Sequence, residues 1–149
     1  MRMRGNSPAK VDGQGRIKIP TAHRRVLEEL YGPRVDLFVT SLQGENVLIY
    51  PLAEWEKLEA KLQEPPKMQP AKQRFLRNTS YWGQQTTMDP QGRVLIPQHL
   101  REKAQINGDV VVLGQLNYLE VWNHERFLED MEANPFTAED AEALSQLGI

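Results

Sequence analysis

The sequence has no cysteine among its 149 residues. That excludes disulfides and thiolate metal sites, and it suits a reducing cytoplasm, where the protein is expected to reside. Long hydrophobic runs are also missing, and none approaches the ~20 residues needed to cross a bilayer. The opening stretch "MRMRGNSPAK" lacks the apolar centre of a secretory signal. No catalytic constellation is visible either. His23, His99 and His124 have no carboxylate or cysteine at ligand spacing, so neither a metal nor another cofactor is expected, and His23 should simply pack on its helix. Ser7, Ser41, Ser80 and Ser145 stand in no nucleophile elbow, and Gly13 and Gly15 open no dinucleotide fingerprint. Neither an enzyme nor a small-molecule substrate is expected.

What is present is globular in character: 40% hydrophobic and 26% charged residues, in a length that suits one domain or two small ones sharing a core. The net charge of −2 hides strong blocks. Residues 1–25 hold seven basic side chains against one acidic, and residues 67–103 hold seven against two. Residues 26–66 hold eight acidic against three basic, and residues 120–149 hold eight against one. Alternating patches of this kind can attract a polyanion to one face of an acidic protein.

Each basic block contains one copy of the same device. "DGQGRIKIP" at Asp12–Pro20 recurs as "DPQGRVLIP" at Asp89–Pro97, 77 positions later, and Arg24 recurs as Arg101. Further on the spacing is 72, with Val39/Val111, Ile49/Val121, Tyr50/Trp122 and Trp55/Phe127 in register. The chain is an internal duplication of about 45 residues.

Both copies predict the same order of elements. A tight glycine turn leads into a short alternating strand, and Pro20 or Pro97 then opens a helix. Ala22, Val26, Leu27 and Leu30 mark the apolar face of the first such helix, Leu100 and Ala104 that of the second. Hairpins follow, Asp36–Ser41 with Val47–Pro51 and Val110–Gln115 with Tyr118–Asn123. Further helices are expected at Leu52–Gln63, Ala71–Asn78 and His124–Met131, with a last one capped by Thr137 and Asp140. Tyr50, Trp55, Trp122 and Phe127 recur at matched positions, as core anchors do. One copy alone has too few apolar side chains for a core, so the two should bury one shared, barrel-like core.

The pattern "D-x-x-G-R-ϕ-x-I-P" followed by a helix resembles the AbrB-like swapped-hairpin proteins. Two copies together with "RGN" at Arg4–Asn6, "LIYPLAEWEKLEAKL" and "VVLGQLNYLEVW" resemble the MraZ family over nearly the whole chain. The resemblance implies an α+β fold rich in β-barrel: two AbrB-like swapped-hairpin repeats in one pseudo-twofold barrel with flanking helices. The repeats would be residues 6–54 and 83–126, with linker helices at 55–80 and a C-terminal helix at 127–149. It also implies a nucleoid-associated, sequence-specific DNA-binding transcriptional regulator. Such a protein binds direct repeats of double-stranded DNA upstream of its own cell-division and cell-wall gene cluster, and its chains close into ring-like homo-oligomers. This chain departs from the family at "MRMRG" and at Asn78–Ser80, where Tyr81 and Trp82 are expected to restore the packing.

The family's two D-x-x-x-R motifs fall on Asp12/Arg16 and Asp89/Arg93. An arginine beside a glycine turn can approach a phosphate or reach bidentately to guanine. It can equally pair with the aspartate four residues earlier and staple the turn, and the two roles are compatible. Lys18, Arg4, Arg24 and Arg101 are further candidates for backbone phosphates, which require only a cation on a reachable stem. The other function class is a protein-interaction barrel, antitoxin-like, whose basic face meets an acidic protein.

Overall fold

Each half of the duplicated chain gives its first strand to the other half. The computed structural model describes residues 1–149. The first copy contains β1 (Asn6–Lys10), β2 (Arg16–Lys18), α1 (Thr21–Tyr31), β3 (Asp36–Thr40), β4 (Val47–Pro51) and α2 (Leu52–Leu62). The second contains α3 (Pro70–Trp82), β5 (Gln84–Thr87), β6 (Arg93–Leu95), α4 (Gln98–Ala104), β7 (Asp109–Gly114), β8 (Leu119–Asn123) and α5 (His124–Ala133). A last helix, α6, spans Ala138–Ser145. β1 pairs with β7 of the second hairpin, from Asn6↔Leu113 to Lys10↔Asp109. β5 pairs reciprocally with β3 of the first hairpin, from Asp36↔Thr87 to Val39↔Gln84. The hairpins meet at β4 and β8, where Val47 faces Val121. The resulting antiparallel sheet runs β1-β7-β8-β4-β3-β5, symmetric about its middle.

The sheet does not close, which corrects the expected barrel. At Asp12 and Asp89 the chain reverses out of β1 and β5, and the next strands pair with each other as a separate two-stranded ribbon, β2–β6. The bridge Val11↔Ile17 and backbone hydrogen bonds from Asp12 to Arg16 and from Asp89 to Arg93 tie the ribbon to the turns. β1 and β5 therefore remain sheet edges, and the ribbon lies across the apolar face as a lid.

Alternation explains the core. Leu37, Val39, Val47, Ile49, Val110, Val112, Leu119 and Val121 project from one face of the sheet and are almost fully buried. Ile17 and Val94 from the ribbon, and Leu27, Leu100 and Ala104 from the two post-proline helices, close over them in one cluster built from both copies. Truncating any of these larger side chains to alanine is expected to cost about 2–5 kcal/mol. On the opposite face Trp55 packs with Phe38 and Phe75, at centroid distances of 4.8 and 6.1 Å, and Trp122 packs with Phe127 at 5.6 Å.

Three local expectations change. On α1 the buried residues are His23 and Leu27, while Leu30 is half exposed, because the helix turns His23 to the place Leu100 occupies in the second copy. α3 continues four residues beyond Asn78 to Trp82. Within it Thr79 is buried, and its carbonyl accepts a hydrogen bond from the Thr40 hydroxyl at 2.7 Å. Trp82 packs on the core as expected, but Tyr81 is 64% exposed. At the start of the chain Met3 is buried and exchanges backbone hydrogen bonds with Leu116, so the "MRMRG" segment is anchored.

Candidate nucleic-acid interface

The two D-x-x-x-R motifs build the same turn. Asp12 accepts hydrogen bonds on Oδ1 from the backbone N–H groups of Gln14 and Arg16, both at 2.9 Å. Its Oδ2 accepts from Nε of Arg16 at 3.1 Å. Asp89 does the same, with Gln91 and Arg93 N–H at 2.9 and 2.8 Å and Arg93 Nε at 2.8 Å. The chain must reverse within three residues, and Gly15 and Gly92 take left-handed φ values of 81° and 78° that other residues adopt only with strain. The backbone hydrogen bond from Arg16, helped by that from Gln14 and by the arginine side chain, outweighs partial desolvation and holds the Asp12 carboxyl below the usual carboxylate range. For Asp89 partial desolvation pushes the other way and is outweighed by hydrogen bonds from Arg93 and Gln91. Each aspartate thus shapes the turn and orients a guanidinium, using only Nε. The Nη groups of Arg16 and Arg93 remain without a partner in the chain.

Register then brings the two turns' products together. Arg16 faces Leu95 and Lys18 faces Arg93 across the ribbon, while Ile17 and Val94 between them are buried. The outer face of the ribbon therefore carries Arg16, Lys18, Arg93 and Leu95. Arg16 and Arg93 are diagonal neighbours, with Cα atoms roughly 7–8 Å apart. The result is a narrow antiparallel ribbon with three cations on one face and an apolar backing.

Arg24 and Arg101 have a different place. The Arg24 guanidinium crosses to the second copy, donating from Nη2 to the Pro90 carbonyl at 2.9 Å while Nε donates to Glu28 at 2.7 Å. It lies over Gly92, where a side-chain carbon would stand 2.8 Å from Arg24 Cδ. Arg101 reciprocates: it seats over Gly15, where a side-chain carbon would collide with the guanidinium, and donates from Nε to the Ile96 carbonyl at 2.9 Å. Each turn is thus clasped by an arginine from the opposite copy. Arg4 is not brought to the ribbon. It lies at the far end of β1, beside the β7–β8 connection that Met3 and Gly5 bind.

A family model described as "MraZ protein, putative antitoxin-like" matches the chain twice, over residues 3–78 and 83–147. The chain belongs to the MraZ family. A relative from Acidobacterium capsulatum is 53% identical over 98% of this chain and 99% of its own length. One from Koribacter versatilis is 45% identical and one from Haemophilus influenzae 33% identical, each over the same shares of the two chains. All three are named transcriptional regulator MraZ.

Within this MraZ chain, two features of the site escape a reading of the sequence. Leu95 stands where the first copy has Lys18, so the ribbon's outer face is asymmetric, a difference visible in the repeat once the face is known. The arginine clasps join positions 66 or more residues apart, and only the strict recurrence of Arg24 as Arg101 signals them. No helix is long and apolar enough to cross a membrane, and no three His, Asp or Glu side chains gather closely enough to hold a metal.

Proposed function

We propose that this chain is a sequence-specific transcriptional regulator that inserts the β2–β6 ribbon into the major groove of double-stranded DNA. The observation that carries this reading is the pair of arginines, Arg16 and Arg93, each oriented through Nε by its own aspartate with the Nη groups free. A major groove about 12 Å wide admits a two-stranded ribbon, and bidentate donation to guanine O6 and N7 is the commonest specific contact there. Lys18 supplies a phosphate contact beside them, and Arg24 and Arg101 hold the turns in shape as well as adding positive potential. Arg4 reaches only DNA that extends past the ribbon.

The DNA is a set of direct repeats upstream of the protein's own gene, at the head of a cell-division and cell-wall cluster. The protein works in the cytoplasm on the nucleoid, as a ring-like homo-oligomer. A single ribbon with three cations is weak at physiological salt, whereas several on one assembly gain about 10²–10⁴ in avidity from neighbouring repeats. The relatives' name and the recurrence of the device support this reading. The family description also mentions an antitoxin-like character, which favours as second reading a basic face that binds an acidic protein.

A gel shift with DNA upstream of its own gene, carrying one, two or three repeats across a salt titration, decides between them. Retention that rises steeply with repeat number and disappears when the repeats are scrambled is expected. Equal retention of scrambled DNA, or none at low salt, refutes the proposal.

A further inference from the structure

The tips of the two turns carry a residue that their geometry does not require. Asp12–Gly15 and Asp89–Gly92 are turns closed by hydrogen bonds from the Gly15 and Gly92 N–H groups to the Asp12 and Asp89 carbonyls, at 3.1 and 2.9 Å. Gln14 and Gln91 hold the third position in each. Turns favour Gly, Pro, Asn, Asp and Ser, each for a conformational reason, and glutamine supplies none of them. The aspartate side chain and the left-handed glycine already fix the reversal. Around the tips the two copies diverge, with Gly13 standing against Pro90 and Lys18 against Leu95. The glutamine is nevertheless present in both.

Gln14 and Gln91 are exposed, and only their backbone N–H groups are engaged, each donating to the Oδ1 of its aspartate at 2.9 Å. Each carboxamide therefore keeps its N–H donors and its carbonyl acceptor free, on a stem rooted in a rigid turn. The second tip is held further by the ring of Pro90, whose carbonyl accepts a hydrogen bond from Arg24 at 2.9 Å. Backbone hydrogen bonds from Ile96 to Gly15 and from Ile19 to Gly92 put the tips at opposite ends of the ribbon. Those ends are about 13 Å apart at ~3.3 Å per residue, and each glutamine lies one residue beyond its end.

We infer that Gln14 and Gln91 each read an adenine in the major groove. The inference rests on the ribbon reading proposed above and adds the second base each turn selects. A glutamine carboxamide pairs bidentately with adenine: its N–H donates to N7 and its carbonyl accepts from the N6 amino group. Each turn then presents two readers, a glutamine for adenine and an arginine for guanine. Two residues of chain span at most about 7 Å, so the two bases lie within about two base pairs of each other. The two adenines, read from opposite ends of the ribbon, are about four to six base pairs apart at ~3.4 Å per pair.

The test uses the full-length chain and a duplex carrying two repeats from the DNA upstream of its own gene. Each adenine position is replaced in turn, in both repeats, by 7-deazaadenine, which lacks N7 but still pairs with thymine. Fluorescence anisotropy gives the affinity of the native chain, Gln14→Ala and Gln91→Ala, and circular dichroism melts check that the exposed substitutions leave the fold intact. Two positions about four to six base pairs apart should each weaken native binding about 2-fold to 12-fold per repeat, the worth of one hydrogen bond. Each alanine variant should lose about 5-fold to 150-fold per repeat on unmodified DNA. Gln14→Ala should erase the 7-deazaadenine penalty at one position and Gln91→Ala at the other. A native chain indifferent to every replacement, or variants that keep both native penalties, would overturn the inference. If that native chain still prefers upstream to scrambled DNA, the ribbon reading stands and the glutamines alone are removed from it. A native chain without that preference overturns both.

Discussion

Removing both ribbon arginines separates recognition from folding, because the geometry assigns them different weights in the two. Arg16 and Arg93 are about 30% exposed, and each makes one side-chain hydrogen bond to its aspartate. The turns keep their other supports in Arg16→Ala/Arg93→Ala: the backbone N–H groups still donate to the aspartates, and Arg24 and Arg101 still sit on the glycines. Exposed ion pairs contribute little to stability. The melting temperature should therefore stay within about 4 °C of the parent. On DNA the loss is large. A base or close phosphate contact is worth about 1–3 kcal/mol, so losing two weakens a site by about 30-fold to 10⁴-fold. If the contacts are to phosphate, the slope of log K against log salt also falls by about one per arginine. Fluorescence anisotropy on a two-repeat duplex at three salt concentrations measures both quantities, with Lys57→Ala as a control away from the ribbon. Wild-type affinity combined with a large drop in melting temperature would refute the reasoning and make the arginines turn staples.

Three further outcomes are expected. Leu95→Lys, which gives β6 the cation β2 has at Lys18, should tighten binding to any duplex and raise the salt slope by about one without changing the melting temperature; anisotropy with scrambled DNA checks it. His23 is buried with Nε2 unpartnered, and burial lowers its pKa below 6.5, so the unfolded chain takes up a proton first as pH falls. Stability should accordingly decline below about pH 6.5, by at most ~1.4 kcal/mol per pH unit, and His23→Leu should remove that decline and stabilise by about 1–3 kcal/mol in urea titrations. The lowered aspartates Asp12 and Asp89 add a second loss, present as stability above pH 3.8 and disappearing as pH falls through their folded values. Residues 1–66 and 67–149 expressed apart should give collapsed amide spectra, and mixing them should restore dispersion, because β1 and β5 each complete the other half's sheet.

The parts of this fold that read clearly in the sequence are those whose signal is local. Hairpins β3–β4 and β7–β8 are short runs rich in apolar and β-branched residues separated by short polar connections, so their bounds lie within a residue or two of expectation. β5, "QQTT", has no apolar residue to alternate, since it is a sheet edge whose side chains are mostly exposed. Strand exchange is invisible locally, because the partner of Asn6 is Leu113 and nothing near Asn6 encodes it. The barrel expectation failed for a related reason: the ribbon strands are three residues long and satisfy each other, which leaves the sheet edges open. On α1 the periodicity pointed to Leu30, but the helix buries His23 and Leu27 and leaves Leu30 half exposed. At the candidate site, Asp12, Arg16, Asp89 and Arg93 were legible through their repetition, while the cross-copy role of Arg24 and Arg101 required coordinates.

The exchanged strands also determine what kind of DNA site the chain suits. Its ribbon takes one strand from each copy, and each turn rests under an arginine from the other, so neither arginine is positioned until both copies have folded together. That makes the ribbon a pseudo-twofold object, and a perfect twofold reader would favour palindromic sites. Lys18 opposite Arg93, against Arg16 opposite Leu95, breaks the symmetry and gives the face a direction. A directional reader joined head-to-tail carries every face in the same sense along the assembly, whereas an isologous dimer would reverse alternate ones. Direct repeats are the sequence arrangement that such an assembly matches. Restoring the symmetry with Leu95→Lys should therefore weaken the preference for directly repeated over inverted sites while raising affinity for both.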